Sequence, residues 1–443
     1  MIFKRFFSLC QTHTTSLFLI FLNAFFSFTS ILVGLGLSFW IYTTFHRPDW
    51  MAFSVFFYTT PRIYLSFFAG FWVDRWGKWR VMKGSLILLC LAYLIPGIMG
   101  MGLIKQHALI SLLILQGLLG GLTAFYEVAT FSLISDGAKG LSSGFLYGIM
   151  EISSSVSTLL APLFIGFLGR TWPVSFFFWG CGLSAFCFLM LLEGFFGKVP
   201  PQKEVLEKSR LKIFSEIFNE IFSDFILRRL ILYFITLNLC NGFVSGLLNA
   251  YVLSRCDGSL KGLSTFGICL ALGNLSGSLL APQVRGKSLW PFMLWAGGLS
   301  AFGGRILFGC AFSLEYLCFW GALRAVLTPL INTTNQILWN HHTPPQKRGR
   351  FLGTRRLLCQ GGYPLSVGSG AWLCGFFPVF FKENLGIVMI FSGSIELMMV
   401  SLFAFQAVKT RRQRSTVMGR LSLRLASFKA KTTRCAERKE RSI

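Results

Sequence analysis

The chain has 443 residues, of which 53% are hydrophobic and only 13% are charged, and it contains 49 phenylalanines. A water-soluble protein cannot bury that much apolar surface in its core, so the composition excludes a soluble protein and indicates one that crosses a membrane many times. The formal net charge of +25 would suit a nucleic-acid-binding protein, but in a membrane protein the cations are first accounted for by topology.

Long apolar runs predict the membrane spans, since a helix needs about 20 such residues to cross the hydrocarbon core. Helices are expected rather than barrel strands, because the runs are long and evenly apolar. Charged or Gly/Pro-containing breaks separate twelve runs, at 16–43, 51–72, 82–104, 108–134, 145–169, 174–196, 229–253, 262–281, 289–312, 315–338, 351–380 and 386–408.

The second half of the chain echoes the first. The sequence APLFIG at 161–166 is similar to YPLSVG at 363–368, and two further weak matches have nearly the same offset. Equal offsets in chain order indicate a duplicated unit, which is a common plan for transporters. The sequence therefore predicts an all-α polytopic membrane protein with about twelve transmembrane helices in two pseudo-symmetric six-helix bundles.

The longest connection joins the sixth and seventh spans. In it Ile217, Phe218 and Ile221 recur at helical spacing with Glu216 and Glu220 opposite, which predicts an amphipathic helix. The expected units are a first bundle at 1–196, a cytoplasmic linker with this helix at 197–228, a second bundle at 229–408 and a basic cytoplasmic tail at 409–443.

The distribution of lysine and arginine predicts the orientation. With a cytoplasmic N terminus, the inner loops hold far more cations than the outer loops, even when the basic tail is left out. Positive loops stay inside, so both termini are expected in the cytoplasm. The amphipathic helix is expected to lie on the inner leaflet or to cap the bundle, and the tail is expected to contact anionic lipids of the inner leaflet.

The segment AGFWVDRWGKWRVM at 69–82 lies between the second and third predicted spans and sets one acid among several cations. It resembles the signature loop of the major facilitator superfamily, whose places are filled here by Gly70, Asp74, Arg75, Gly77, Lys78 and Arg80. Gly70 allows a close helix approach and Gly77 a tight turn. The resemblance implies that Asp74 latches the outward-facing state. The alternative is an ordinary charged turn that only fixes topology.

Longer stretches, such as TTPRIYLSFFAGFWVDRW at 59–76, look like the drug:proton antiporter branch of that superfamily, which includes macrolide and siderophore exporters. The resemblance implies a secondary active transporter that exports an amphipathic compound by alternating access, powered by proton influx. It also implies that spans one, four, seven and ten line the central cavity. The drug-efflux resemblance favours a bacterial inner membrane as the location.

Polar residues at helical spacing mark one face of each of those four spans. Together with Arg62 on the second span, they are the substrate-cavity candidates: Asn23, Ser27, Gln116, Thr123, Tyr126, Asn238, Asn241, Asn249, Arg324, Thr328, Asn332 and Asn335. The alternative is that these stripes make hydrogen bonds between helices in a static bundle.

Ionisable residues at membrane depth are costly and point to function. Glu127 and Glu151 are the proton-coupling candidates, because a carboxyl group in a cavity that alternately dries and wets can load and release a proton. Arg324 is expected to hold an anionic substrate group or to act as a counter-charge. The alternative is that Glu–Arg pairs merely hold the bundle together, and a structural pairing is expected for Glu396.

Two other functions stay open. One is an importer of an anionic metabolite or nutrient, in which Arg62 and Arg324 grip a carboxylate or phosphate. The other is a non-transporting scaffold or receptor. An enzyme is not expected, because the sequence has no nucleotide-binding loop and no catalytic Ser/His/Asp or metal-ligand spacing. The expected partners are a small-molecule substrate, protons or another coupling ion, and anionic lipids. No nucleic acid, cofactor or metal is expected, and the chain is expected to work as a monomer.

Overall fold

The computed structural model describes residues 14–103, 108–137, 143–168, 172–196, 210–284, 289–343, 348–376 and 384–406, and these are almost entirely helical. Apolar side chains line both the interior and the outer surface. Phe21, Ile114 and Phe167, for example, are more than half exposed on the outside of the bundle. A protein surface of this kind is stable only against lipid, as the composition predicts.

The first half contains one long helix for each of the first six predicted spans. These are α1 (Thr14–Phe45), α2 (Pro48–Trp76), α3 (Lys78–Leu103), α4 (Ala108–Gly137), α5 (Ser143–Leu168) and α6 (Val174–Phe196).

The second half begins with α7 (Arg210–Ser223), which is the predicted amphipathic helix and buries Ile217 and Ile221. The other helices are α8 (Phe225–Ser245), α9 (Leu248–Arg255), α10 (Leu260–Leu280), α11 (Leu289–Ala301), α12 (Leu314–His342), α13 (Arg348–Gln360), α14 (Tyr363–Phe376) and α15 (Asn384–Gln406). The seventh span thus consists of α8 and α9, and the eleventh of α13 and α14.

Helix α8 begins at Phe225, four residues before the predicted span. The carboxylate of Asp224 accepts hydrogen bonds from the backbone N–H groups of Ile226 and Leu227 and so caps the helix. The guanidinium of Arg229 lies over the Phe225 ring, 4.0 Å from its centroid. Arg228 and Arg229 therefore lie in the first turns of helix α8 rather than at its boundary.

Three spans of the second half are interrupted, although the sequence predicts continuous helices there. The seventh breaks at Gly246 and Leu247, and the eleventh at Gly361 and Gly362 just before Pro364, which cannot donate a backbone hydrogen bond. The ninth continues from α11 into a π-helical segment at Phe302–Leu307. Such interruptions often occur at functional sites in transporters.

Among the described residues, seven helices are long and apolar enough to cross a membrane by length and composition alone: α1, α4, α6, α8, α10, α12 and α15. The remaining predicted spans correspond to helices that carry more polar residues, contain breaks, or are described over a shorter apolar stretch.

Two residues mark the opposite ends of the bundle. The chain passes from α1 to α2 around His46 and from α2 to α3 at Gly77, and consecutive spans run in opposite directions. We call these ends the His46 end and the Gly77 end. Between the two halves, α2 packs against α14, α5 against α10, and α1 against α9. In the described part of the chain, α4 and α12, which end at the Gly77 end, do not pack closely against each other. The halves therefore meet mainly toward the His46 end.

Glycine brings matching helix pairs close together in both halves. A methyl group added at Gly120 of α4 would lie 2.0 Å from the carbonyl oxygen of Tyr58 on α2. In the second half, one added at Gly277 of α10 would lie 2.2 Å from the carbonyl oxygen of Val326 on α12. The second and fourth spans of each bundle thus touch through their backbones, which only glycine permits.

Gly120→Ala is expected to destabilise the protein by about 1 to 3 kcal/mol, because α2 and α4 must separate to admit the methyl group. The measurement is thermal unfolding of the purified protein in detergent. Gly84→Ala is the matched control, since an added methyl group at Gly84 of α3 meets nothing within 4 Å. It is expected to leave stability unchanged or raise it by up to about 1 kcal/mol. Equal effects of the two changes would contradict the packing.

Candidate substrate cavity and its charged residues

A cavity of about 840 Å³ lies within the first half of the protein. Its walls come from α1, α2, α4 and α5, with one residue each from α3 and α13, Tyr93 and Arg356. The size is that of pockets that enclose drug-sized molecules. Along α4 it reaches Ile134, which is in the last turn before the Gly77 end.

The cavity is closed toward the His46 end. There the amide Nδ2 of Asn249, on α9, donates a hydrogen bond to the hydroxyl of Ser38, on α1, at 3.3 Å. Ser38 also lines the cavity, so this contact joins the two halves across its closed end. At mid-depth, the Tyr64 hydroxyl of α2 donates to the carbonyl oxygen of Gly361 at 2.7 Å. The halves are therefore joined by hydrogen bonds and helix packing toward the His46 end and are less closely packed at the other end.

Arg62 and Glu127 form an ion pair in the cavity wall. Arg62 Nη2 lies 2.5 Å from Glu127 Oε1, and Arg62 Nε lies 3.4 Å from Glu127 Oε2. The two side chains remain 40% and 33% exposed, so water in the cavity reaches the pair. Arg62 also stacks over the Tyr58 ring, with 5.7 Å between its guanidinium carbon and the ring centroid. Both residues are candidates predicted from the sequence, and they lie next to each other in the structure.

The other candidates of the first half line the same cavity. Asn23 and Ser27 face it from α1, and Gln116, Thr123 and Tyr126 face it from α4. The Tyr126 hydroxyl donates to Asn23 Oδ1 at 2.9 Å and so links the two helices. The polar stripes of α1 and α4 thus lie along the wall of this cavity, and their role in substrate binding stays a prediction.

The polar stripe of the seventh span makes hydrogen bonds instead. Asn238 Nδ2 donates to the carbonyl oxygen of Phe234 on its own helix at 2.8 Å. Asn241 accepts from two arginines of the second half, and Asn249 makes the contact at the closed end. None of these three residues is among the described residues that line the cavity. Asn241 and Asn249 thus make contacts between helices, whereas Asn238 bonds within its own helix, and their role in substrate binding stays a prediction.

A buried charge cluster lies in the second half. Arg305, on the π-helical segment, places Nε 2.6 Å from Glu396 Oε2 of α15, and each side chain is 2% exposed. Arg324 of α12 lies farther away, with Nη1 at 3.7 Å from the same oxygen. Asn241 Oδ1 accepts hydrogen bonds from both Arg305 Nη2 and Arg324 Nη2. Glu396 thus forms a structural ion pair, as expected. Its partner is Arg305, for which the sequence predicts no role.

Helix α12 carries a polar face that begins at Arg324 in this cluster and continues toward the Gly77 end. Thr328 and Asn332 follow Arg324 at steps of four residues and are exposed, whereas Asn335 is wholly buried. Arg324 itself is 20% exposed. A polar stripe of this kind belongs to a water-filled space rather than to lipid.

The signature loop forms the predicted tight turn. Gly77 is the one residue between α2 and α3 and has φ +88°, which favours glycine. Gly70 and Arg75 lie near the end of α2, and Lys78 and Arg80 begin α3. The side chain of Asp74 lies outside the described part of the structure, and so does that of Glu151 on α5, so their predicted roles stay predictions.

Some cavity residues are not among the sequence candidates. Ser54 and Tyr58 precede Arg62 at steps of four residues on α2, and Ser153 and Ser154 face the cavity from α5. The spacing on α2 is visible in the sequence. It does not stand out there, because Pro61 and aromatic residues surround these positions. In addition, α2 is not one of the four spans expected to line the cavity.

The Major Facilitator Superfamily matches residues 17–367 of the sequence, which is most of the chain. The chain belongs to this superfamily. It is therefore a multi-pass membrane transporter with the superfamily's fold of about twelve helices, as the signature loop leads one to expect. No curated protein sequence matches it.

Solved superfamily structures share this fold at low sequence identity. A POT family transporter in complex with 5-aminolevulinic acid aligns with a TM-score of 0.65 and 13% identity, over 88% of this chain and 95% of that one. The human organic anion transporter MFSD10 (TETRAN) gives 0.58 and 15%, over 88% and 99%. A bacterial homologue of the human lysosomal transporter Spinster, inward-facing and unoccupied, gives 0.64 and 16%, over 90% and 97%. At such identities the likeness shows the fold alone.

Proposed function

We propose that this superfamily member is a proton-coupled secondary transporter that exports a small amphipathic molecule by alternating access. The observation that carries the proposal is the Arg62–Glu127 ion pair in the wall of a water-accessible cavity. A carboxylate at membrane depth is costly unless it is paired, and such residues mark ion pathways in transporters. The drug:proton antiporter resemblance supports the direction of transport.

The cavity suits an amphipathic substrate. Phe26, Tyr58, Tyr93 and Tyr126 provide aromatic surface, and hydroxyl and amide groups of α1 and α4 provide hydrogen-bonding partners. Pockets that bind small molecules combine apolar walls with a few such polar groups. An aromatic body with one polar end fits this lining.

Protonation of Glu127 provides the coupling step. The ionised carboxylate holds the Arg62 guanidinium, and a proton taken up from the cavity neutralises the carboxylate and releases that guanidinium. The state with the ion pair and the state with the proton therefore differ in cavity charge by one unit. An ion gradient acts on this difference to bias the two arrangements of the halves.

The orientation follows from the charges of the loops. With the Gly77 end in the cytoplasm, both termini are cytoplasmic and the structure is the inward-open state. The proposed units are the predicted ones, 1–196, 197–228, 229–408 and 409–443, although helix α8 of the second bundle already begins at Phe225. Helix α7 and the basic tail contact anionic lipids of the inner leaflet, and the protein works as a monomer in the cell membrane.

Import of an anionic metabolite is a second candidate. The observation that favours it is the excess of arginine over acid in the charge cluster of the second half. The two candidates predict opposite changes in the accumulation of the substrate in cells. An exporter lowers the accumulation of its substrate in cells that express it, and an importer raises it.

Asp74→Asn is expected to weaken protonophore-sensitive extrusion, because the resemblance makes Asp74 a latch on the outward-facing state. The measurement is the accumulation of a panel of dyes and antibiotics in cells that express the wild type or the variant, with and without a protonophore. Asp257→Asn is the control, since this exposed loop residue has φ +51°, which asparagine also tolerates. It is expected to extrude like the wild type.

Extrusion by the wild type that the protonophore does not affect would refute proton coupling. Unchanged accumulation of every compound, with expression confirmed, would refute export of this substrate class. Purified protein in liposomes with a pH gradient then separates an importer from a scaffold, because a scaffold binds its ligand without any gradient-dependent flux.

A further inference from the structure

The charge cluster of the second half contains two guanidinium groups and one carboxylate. Arg305 and Arg324 both approach Glu396, and among the described residues no other acidic side chain pairs with either arginine. A positive charge at membrane depth without a counter-ion is costly. The two arginines therefore share one carboxylate, and the cluster carries one positive charge more than that carboxylate neutralises.

Arg305 is the fixed partner of Glu396. Its Nε lies 2.6 Å from the carboxylate, and its Nη1 donates to the carbonyl oxygen of Cys240 at 2.7 Å and to the Ser392 hydroxyl at 2.6 Å. Its Nη2 donates to Asn241. Both Nη atoms of this buried guanidinium donate hydrogen bonds, and its Nε lies within ion-pair distance of Glu396, so the Arg305–Glu396 pair is electrically neutral and structural.

Arg324 is held by neutral groups. Its Nη2 donates to Asn241 Oδ1 at 2.6 Å, and its Nη1 donates to the Ser300 hydroxyl at 2.9 Å. Its distance of 3.7 Å from Glu396 is too long for a good hydrogen bond, and that carboxylate is already neutralised by Arg305. A fifth of the Arg324 side chain is exposed, and the polar face of Thr328 and Asn332 connects it with the Gly77 end.

We infer that Arg324 is an anion-binding site and that the transported molecule carries a carboxylate or another single negative charge that pairs with its guanidinium. The planar guanidinium of arginine matches a carboxylate in a bidentate pair, which is stronger than the bonds to the neutral acceptors that it replaces. Arg62 does not offer the same site while Glu127 is ionised, because that carboxylate neutralises it at 2.5 Å. This inference rests on the proposed transport function and names the substrate class for it.

The first test measures thermal unfolding of the purified full-length protein with a library of small organic acids, each with its amide and an amine of the same skeleton. The acids are expected to raise the unfolding temperature of the wild type by about 2 °C or more, with smaller shifts for their amides and amines. Arg324→Gln is expected to abolish the preference for acids, and Arg324→Lys to retain part of it.

Three results would overturn the inference: acids that stabilise no better than their amides, an acid preference that survives in Arg324→Gln, or no stabilisation by any acid. A second comparison needs no ligand. Arg305→Gln leaves Glu396 without its close partner and is expected to lower the unfolding temperature by about 5 °C or more. Arg324→Gln is expected to lower it by less than about 2 °C. Equal losses would show that Arg324 is only structural.

The experiments give different results if the anion site is wrong and if the proposed transport function is wrong. Gradient-driven flux of cationic or neutral compounds alone, in liposomes, would exclude the anion site and leave proton-coupled transport intact. Acid binding that depends on Arg324, without any gradient-driven flux, would retain the anion site and exclude transport coupled to protons.

Discussion

Glu127→Gln is expected to abolish transport driven by a proton gradient while leaving substrate exchange in place. Glutamine keeps the shape of the side chain but carries neither the proton nor the charge, so Arg62 stays permanently released. The measurement uses liposomes containing the purified protein and any compound that the wild type moves. With a pH gradient, flux in the variant is expected to fall to the level of liposomes without protein. Without a gradient, exchange of labelled for unlabelled compound is expected to persist.

Glu193→Gln is the matched control for this result. Glu193 also pairs with a cation, with its Oε1 2.6 Å from Lys83 Nζ, but it lies near the end of α6 and its side chain is 57% exposed. Exposed ion pairs contribute about 0 to 1 kcal/mol, so the control is expected to leave both flux and stability unchanged. Gradient-driven flux that survives in Glu127→Gln would remove this residue from the coupling step and direct attention to Glu151.

Glu396→Gln is expected to destabilise the protein strongly, by more than Gly120→Ala does. It leaves Arg305 and Arg324 without a carboxylate in a site where the Arg305 and Glu396 side chains are each 2% exposed. Removing one partner of a buried ion pair costs about 3 to 5 kcal/mol, because the remaining charge is uncompensated. The measurement is thermal unfolding of the purified protein in detergent.

A double-mutant cycle separates charge from packing at this site. Replacing both partners, as in Arg305→Met with Glu396→Leu, removes the buried charges together and is expected to restore most of the stability that Glu396→Gln loses. A double variant as unstable as the sum of its single changes would mean that the hydrogen bonds of Arg305 to α8, rather than its ion pair, hold the second half together.

The fold follows from sequence patterns because its determinants are local. Apolar runs of about 20 residues, charged breaks between them and the signature loop are all properties of contiguous segments. The breaks in the seventh and eleventh spans also have a local cause in Gly246, Gly361 and Pro364. The π-helical segment at Phe302–Leu307 contains a similar glycine pair, Gly303 and Gly304, so glycine alone does not distinguish a break from a π-helix. Both of these glycines pack against α12.

The two sides of the candidate site differ in how far the sequence predicts them. The stripes on α1 and α4 face the cavity as their spacing indicates. The stripe on α8 has the same spacing, yet Asn241 faces two arginines whose positions depend on other helices. Periodicity shows that a face is polar, but it does not show whether water or another polar side chain covers that face. The pairing of Arg62 with Glu127 is likewise a matter of how α2 and α4 align.

The backbone contact between Gly120 and Tyr58 constrains how the coupling pair can work. Helices α2 and α4 touch there without intervening side chains, so we expect them to move as one rigid body in the proposed alternating-access cycle. Arg62 lies one turn from Tyr58, and Glu127 two turns from Gly120, on the same two helices. The backbones that carry the two charges therefore stay at a nearly constant distance in that cycle, and the pair separates only by side-chain movement after Glu127 takes up a proton. We expect the carboxyl vibration of Glu127 in infrared spectra to show this protonation without a change in the packing of α2 against α4.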